Sequence, residues 1–184
     1  MNFQALLNSR YSVGLALGVG RGLPAPAGRG LARWAGGVIA GMRRTGIVRA
    51  VEANQWVAGG EALSPKDSDR RVRAVFQNTG RCLFDFYHCL GRPEAIQRIF
   101  TYTDDFERFR ERVCGGMQGT LIVTAHLSNF DLAGQAMALR GIKMLVLSHP
   151  QPRGGYRMQN QMRGLGGLET LPMSIESLRR AEEI

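Results

Sequence analysis

The stretch GTLIVTAHLSNFDLAG, residues 119–134, joins an apolar, β-branched run to a segment whose apolar residues have helical spacing. This change in the spacing of the apolar residues predicts a buried strand followed by a helix that ends at Gly141. His126 follows the predicted strand directly, and Asp131 comes five positions later. Two interpretations are open. In the first, Ser128 caps the helix and Asp131 lies near its N-terminus; in the second, the histidine is a general base that the aspartate orients.

Strand-like and helix-like segments alternate along the chain around this stretch. The predicted strands are AIQRIFTYT (95–103), GTLIVTAH (119–126), IKMLVLSH (142–149) and LETLPM (168–173). The predicted helices are DDFERFRERVCGG (104–116), SNFDLAGQAMALRG (128–141), GGYRMQNQMRGLGG (154–167) and SIESLRRAEEI (174–184). Strands that alternate with helices imply right-handed crossovers and a largely parallel sheet.

The first half of the chain predicts helices only. Weak helical patterns over residues 3–41 break near GLPAPAGRG (22–30), and a short helix follows in GIVRAVEANQWVAG (46–59). A long helix begins with Ser64 as its N-cap and Pro65 at its first helical position.

The predicted fold class is therefore α/β, with a helical N-terminal region followed by a mostly parallel sheet with flanking helices. Residues 1–92 form the helical, membrane-associating region and residues 93–184 the α/β core, and together they make one structural domain. Because the last helix has no stop signal, we expect the core to be incomplete at its C-terminus.

The composition is basic, with a formal net charge of +9, and Lys66 and Lys143 are the only lysines. Such a charge suits an anionic partner: a nucleic acid, an anionic membrane surface, or an acidic substrate or carrier protein. A solvated basic surface is equally consistent with it. Nucleic acid is not expected, since no zinc-finger or glycine-aromatic RNA-binding motif is present. The three cysteines lack CxxC spacing and the three histidines lie far apart, which predicts reduced thiols and no metal site.

The N-terminal segment superficially resembles a secretory signal, but further apolar sequence follows it. No uninterrupted apolar run reaches the roughly 18 to 20 residues that span a bilayer. The sequence here favours helices that lie in a membrane interface, because a tryptophan and several arginines flank apolar faces. These residues are Trp34, Arg29, Arg33, Arg43 and Arg44. Two packed helices of a soluble core are the alternative.

The chemistry of the opening stretch depends on its predicted place. In open α/β sheets, ligands bind at the carboxyl ends of the strands, where His126 is expected. If Asp131 accepts a hydrogen bond from one ring nitrogen, the other nitrogen can deprotonate a hydroxyl for attack on an ester or thioester carbonyl. No GxSxG nucleophile elbow is present, so we expect transfer directly to the acceptor.

Residues 119–134 resemble the first block of the bacterial lipid A biosynthesis acyltransferase family, the lauroyl/myristoyl-type branch of the glycerolipid acyltransferase superfamily. That block is a histidine, four residues and an acidic residue, commonly HxGNWE after a strand. The segments RAVEANQWVAGG (49–60) and RVRAVFQNTGRCLFDFYH (71–88) resemble the family's N-terminal helices. LSHPQPRGGYRMQNQMRGLGG (147–167) resembles its second block, in which an arginine, here Arg163, precedes a glycine on a helix.

The resemblance covers roughly residues 40 to 175 and has three departures. Ser128 replaces the usual glycine, and Asp131 replaces the commoner glutamate. Family members continue with a further strand and a glycine-rich, acidic third block, so we expect part of the acyl-chain groove and acceptor site to be missing.

The resemblance implies acyl transfer from acyl carrier protein or coenzyme A, as co-substrate, to a sugar or glycerol hydroxyl of a membrane lipid, with no cofactor and no metal. His126 would be the base, Asp131 would orient it, and Arg163 would stabilise the oxyanion or bind a substrate phosphate. The remaining candidate substrate contacts are Ser128, Asn129 and His149. The implied location is the cytoplasmic face of the bacterial inner membrane, peripheral or N-terminally anchored. The rival class is a non-catalytic basic module, a degenerate or truncated relative that binds anionic lipid or nucleic acid.

Overall fold

The computed structural model describes residues 9–116, 119–125, 127–151, 154–164 and 168–182. Over these residues the structure is 69% helix and 5% strand. The prediction of an α/β fold with a mostly parallel sheet is therefore wrong for the described part of the chain, which is mostly helical and contains one two-stranded parallel sheet.

The described elements follow one another in a simple order. The helices of the first half are α1 (Arg10–Gly22), α2 (Ala25–Gly41), α3 (Gly46–Ala58) and α4 (Pro65–Cys89). Next come α5 (Pro93–Ile99), α6 (Asp104–Gly115), α7 (Phe130–Leu139), β1 (Leu145–Ser148), α8 (Gly154–Gly164), β2 (Glu169–Pro172) and α9 (Ile175–Glu182). None of the described helices has both the length and the apolar composition that a membrane crossing needs.

The start of α4 confirms a sequence prediction. The Ser64 hydroxyl oxygen accepts the Asp67 backbone N–H at 3.1 Å and donates to the Asp67 carboxylate at 2.7 Å. Pro65 occupies the first helical position, where its missing N–H costs nothing. These local contacts satisfy backbone donors at the helix end, so this boundary is encoded by neighbouring residues.

Two predicted strands are wrong. Within AIQRIFTYT, residues up to Ile99 belong to helix α5, because Pro93 and Glu94 open a helix whose apolar side is anchored by the buried Ile96. GTLIVTA, residues 119–125, is exposed and pairs with no strand among the described residues. β-Branched composition favours an extended backbone, but a strand also needs a neighbour to complete its hydrogen bonds.

The predicted strands at 142–149 and 168–173 do form, over the four residues of β1 and of β2. They pair in parallel, with Leu145 opposite Glu169 and Ser148 opposite Pro172. Helix α8 lies between them in the chain, as the connection of a parallel pair requires.

The described residues divide into two compact units, one formed by Leu15–His88 and the other by residues 9–14 with 89–182. In the first unit, a small core contains Ala40, Val48, Val72 and Phe76. Glycines let α2 approach α4 closely. A Cβ at Gly36 would lie 2.4 Å from the Phe76 carbonyl oxygen, and a Cβ at Gly80 would lie 2.5 Å from the Ala32 carbonyl oxygen.

In the second unit, an ionic network joins α6 to the end of α7. The Glu107 carboxylate accepts hydrogen bonds from Arg110 and Arg140, and the Arg140 guanidinium lies 5.0 Å from the centre of the Tyr102 ring. The hydrogen bond from Arg110 is the main cause that lowers the pKa of Glu107 below its ordinary value of 4.5, and Arg140 adds to the effect.

This network predicts an acid-sensitive contribution to stability. Because the folded pKa of Glu107 is lowered, its contribution is present above the unfolded value and is lost as the pH falls through the folded pKa. We expect Glu107→Gln to flatten the dependence of the free energy of unfolding on pH below about 4.5. Urea unfolding over a pH series measures this. An unchanged slope in the variant would contradict the assignment, and Glu111→Gln, on the same helix, is the control.

Candidate functional site

The site begins at the N-terminus of α7. Asn129 is the N-cap residue, although its side chain makes no capping hydrogen bond, and its backbone carbonyl accepts the Ala133 N–H at 2.9 Å. Ser128 lies one position before the cap, so the alternative in which Ser128 caps this helix is wrong. Asp131 lies in the first turn, where a carboxylate interacts favourably with the helix dipole.

Asp131 and Arg163 form the central contact of the site, although 32 positions separate them in the chain. Arg163 Nε donates to Asp131 Oδ1 at 2.7 Å, and Nη2 donates to Oδ2 at 3.2 Å. The Arg163 side chain is only 10% exposed and the Asp131 side chain only 15%. This bidentate geometry fixes the plane of the carboxylate, and it joins residues 119–134 to residues 147–167, the two segments that carry the resemblance.

Asn160 completes this arrangement and was missed by the sequence analysis. Its Oδ1 accepts from Arg163 Nη1 at 2.6 Å, and the residue is buried. Three of the five guanidinium donors are thus directed to Asp131 and Asn160. The spacing of three positions between Asn160 and Arg163 on one helix was the available signal. Arg163 is therefore oriented by protein groups and acts on Asp131, rather than extending into solvent.

Ser128 has a backbone φ of +50°, the left-handed region that non-glycine residues rarely adopt. Glycine reaches this region without steric cost, and this is the position where the family pattern carries glycine. Ser128 as a residue is exposed.

We expect Ser128→Gly to raise the free energy of unfolding by up to about 1 kcal/mol, since relief of the strained φ exceeds the added entropy of the unfolded chain. Chemical denaturation measures this change. Asn129→Gly, at a neighbouring position with a φ of −92°, is the matched control and should not stabilise. A loss of stability in Ser128→Gly would show that the side chain contributes more than its backbone costs.

Of the two candidate site histidines, the structure describes only His149. His126 lies outside the described residues. His149 follows β1, is exposed, and its Nδ1 accepts the backbone N–H of Gln151 at 3.1 Å. No described contact joins it to Asp131. In the segment before His126, Leu121 is 89% exposed and Val123 is 86% exposed. The buried strand predicted there is therefore not present to pack against the N-terminus of α7.

A second missed residue is Gln135, one turn after Asp131 on α7. It is fully buried, and neither atom of its side-chain amide has a hydrogen-bond partner among the described residues. A buried amide without partners costs stability, so Gln135 destabilises the helix that carries Asp131 relative to an apolar residue of the same shape. Within the described part of the chain, no cluster of three histidine, cysteine, aspartate or glutamate side chains is arranged to hold a metal ion.

Compared with family models, curated proteins and solved structures, the chain gives no match. The assignment of a function therefore depends on the chemistry of these residues and on the motifs that they form.

Proposed function

We propose that the chain is an O-acyltransferase of the lipid A biosynthesis type. It moves a fatty acyl group from acyl carrier protein or coenzyme A to a hydroxyl of a membrane glycolipid or lysophospholipid. The observation that supports this proposal is the ion pair between Asp131 and Arg163, because it brings together the acidic residue of the first motif and the arginine of the second.

In the proposed mechanism, His126 is the general base. One ring nitrogen donates to Asp131, and the other removes the proton of the acceptor hydroxyl as its oxygen attacks the thioester carbonyl. The tetrahedral intermediate collapses by breaking the carbon–sulfur bond, and the departing thiolate takes the proton back from His126. An ester and a free thiol result, so no protein nucleophile and no cofactor are needed.

In place of the oxyanion or phosphate contact that the resemblance implies, we propose that Arg163 serves this mechanism as a positioning residue, because three of its donors are directed to Asp131 and Asn160. A carboxylate has about four lone-pair positions, so Asp131 can accept two bonds from the guanidinium and one from an imidazole. By holding the carboxylate plane, Arg163 would limit the orientations in which the imidazole can be bound. Ser128, Asn129 and His149 stay proposed substrate contacts.

The partners follow from charge and from the acceptor. Acyl carrier protein is acidic and the acceptor lipid lies in an anionic membrane, and a net charge of +9 suits both. We place the protein at the cytoplasmic face of the bacterial inner membrane.

The test is acyl transfer from radiolabelled acyl carrier protein or acyl coenzyme A to a total bacterial membrane lipid extract. We expect His126→Ala to lower the initial rate by 10²- to 10⁴-fold, the usual contribution of a general base. His88→Gln is the matched control, because that histidine bonds the Gly20 carbonyl oxygen through Nδ1 at 2.7 Å, remote in sequence from the motif. It should transfer at the wild-type rate.

Equal transfer by wild type and His126→Ala would refute the base assignment. If neither protein transfers label while both bind membranes, the rival assignment, a non-catalytic basic module, is favoured. Nucleic-acid binding by that module would be recognised by a steep loss of affinity with added salt.

A further inference from the structure

The exposed side of helix α2 is almost entirely apolar. Of its eight exposed residues, Arg33 alone is charged, and the others are alanine, proline, glycine or large apolar residues. Leu31, Trp34 and Val38 are spaced by three and four positions, so they share one face of the helix. Trp34 is 67% exposed. We call Leu31, Trp34 and Val38 the Trp34 face.

The opposite side of α2 is held firmly. Gly28 packs against the Phe84 ring, and Gly36 packs against the backbone at Phe76, both at distances that admit no side chain. Arg29 Nε donates to the buried Asp85 carboxylate at 2.7 Å. Rotation of the helix to bury Trp34 would break these contacts. The Trp34 face is therefore a fixed feature of the first unit.

The segment of the chain that carries this face is basic. The first 51 residues contain seven arginines and no acidic residue, and the first carboxylate of the chain is Glu52. Three arginines of this segment are exposed and have no ion pair among the described residues: Arg33, Arg44 and Arg49. A second copy of the chain would bring the same positive charges and would be repelled. A nucleic acid would neutralise the arginines but would leave a large apolar face in water.

An anionic bilayer offers both complements, since phosphates lie beside acyl chains at its surface. Helices with tryptophan and leucine on one side and arginines at the edges lie in the plane of such an interface. We propose that the Trp34 face inserts into the headgroup and acyl boundary of an anionic membrane, while the exposed arginines of the same segment, Arg33, Arg44 and Arg49, bind lipid phosphates. This deepens the proposed function by naming the surface at which the enzyme would meet its acceptor lipid. That role rests on the proposed function, whereas membrane insertion of the Trp34 face does not.

The two tryptophans of the chain provide matched reporters. Trp56→Phe leaves Trp34 as the only tryptophan, and Trp34→Phe leaves Trp56. Each protein is mixed with vesicles of phosphatidylglycerol and brominated phosphatidylcholine in equal amounts, without an acyl donor. We expect Trp34 emission to move to shorter wavelength and to lose at least half of its intensity through bromine contact, while Trp56 loses much less. Emission from Trp34 that is unchanged by these vesicles would overturn the proposal.

Affinity is tested with a pair of double variants. Leu31→Glu with Val38→Glu should weaken binding to phosphatidylglycerol vesicles by at least tenfold, since two inserted residues become charged. Val57→Glu with Leu83→Glu adds the same charge at exposed apolar residues outside α2 and should weaken binding by threefold or less. Equal losses in the two pairs would mean that net charge alone governs binding, which overturns the proposal.

Two further outcomes would replace the lipid with another occupant. A shift of Trp34 emission with protein concentration alone, without vesicles, would indicate a second copy of the chain. The same shift with a short duplex DNA would indicate a nucleic acid. Because no acyl donor is present, failure here leaves the result of the transfer assay unaffected, and failure of that assay leaves this one standing.

Discussion

Replacement of Arg163 by methionine is expected to lower the free energy of unfolding by about 3–5 kcal/mol. Methionine keeps most of the length and apolar volume of the side chain but leaves the Asp131 carboxylate, 15% exposed, without its guanidinium. Asn160 Oδ1 loses its donor in the same variant. The Asp131 carboxylate would then lack its neutralising cation and the amide oxygen its donor, which is the costly case for a buried ion pair. Guanidinium chloride unfolding gives the value.

A double-mutant cycle separates this interaction from loss of packing. Asp131→Leu combined with Arg163→Met removes both charges, and we expect it to recover most of the stability lost in Arg163→Met alone. If the double variant is as unstable as the sum of the two single variants, the ion pair is not coupled energetically. The helix content of each variant by circular dichroism shows whether the native fold is still the reference state.

Gly36→Ala is expected to lower the free energy of unfolding by about 2–3 kcal/mol, although alanine favours helices over glycine. The added Cβ would lie 2.4 Å from the Phe76 carbonyl oxygen and 2.9 Å from the Gln77 Cα. These are backbone atoms, so no rotamer change relieves the overlap, and α2 must move away from α4. Thermal and denaturant unfolding both measure the loss.

Gly30→Ala is the matched control, because it is the same chemical change on the same helix. Gly30 is exposed, and a Cβ there would meet no atom within 4 Å. Alanine should therefore raise the free energy of unfolding by about 0.5–1 kcal/mol through its helix propensity. Changes of the same sign in the two variants would contradict the close packing of α2 on α4.

The sequence predicted the features of this fold that are locally encoded. Ser64 and Pro65 signal the start of α4 through contacts within one turn. The helix predicted to begin at Asp104 does begin there, although Thr103, which the sequence analysis placed in a strand, is the residue that accepts the Phe106 N–H. Periodicity also located α7, α8 and both observed strands. These features depend on neighbours three or four positions away, which a single sequence displays directly.

The incorrect predictions concern partners distant in the chain. The pattern of GTLIVTA specifies an extended, apolar segment, but no local signal specifies whether a second strand lies beside it. In the same way, the pairing of Asp131 with Arg163 spans 32 positions and follows from no spacing rule. The resemblance named both residues as members of a site without indicating that they contact each other, and it missed Asn160 and Gln135.

The two sides of the proposed catalytic turn differ in their contacts, and on the proposed function this difference affects the affinity for the acyl donor. Asp131 is anchored by α7 and by Arg163, whereas residues 119–125 make no ladder hydrogen bond with the described residues. Fixing the backbone of one residue costs about 1–2 kcal/mol. If the acyl donor binds at this turn as proposed, residues 119–125 can adapt to it without breaking a ladder hydrogen bond, and any loss of backbone freedom on binding would raise the apparent Kd for the donor. Substitutions that stiffen residues 119–125 would then tighten donor binding while leaving the rate of the bound complex nearly unchanged.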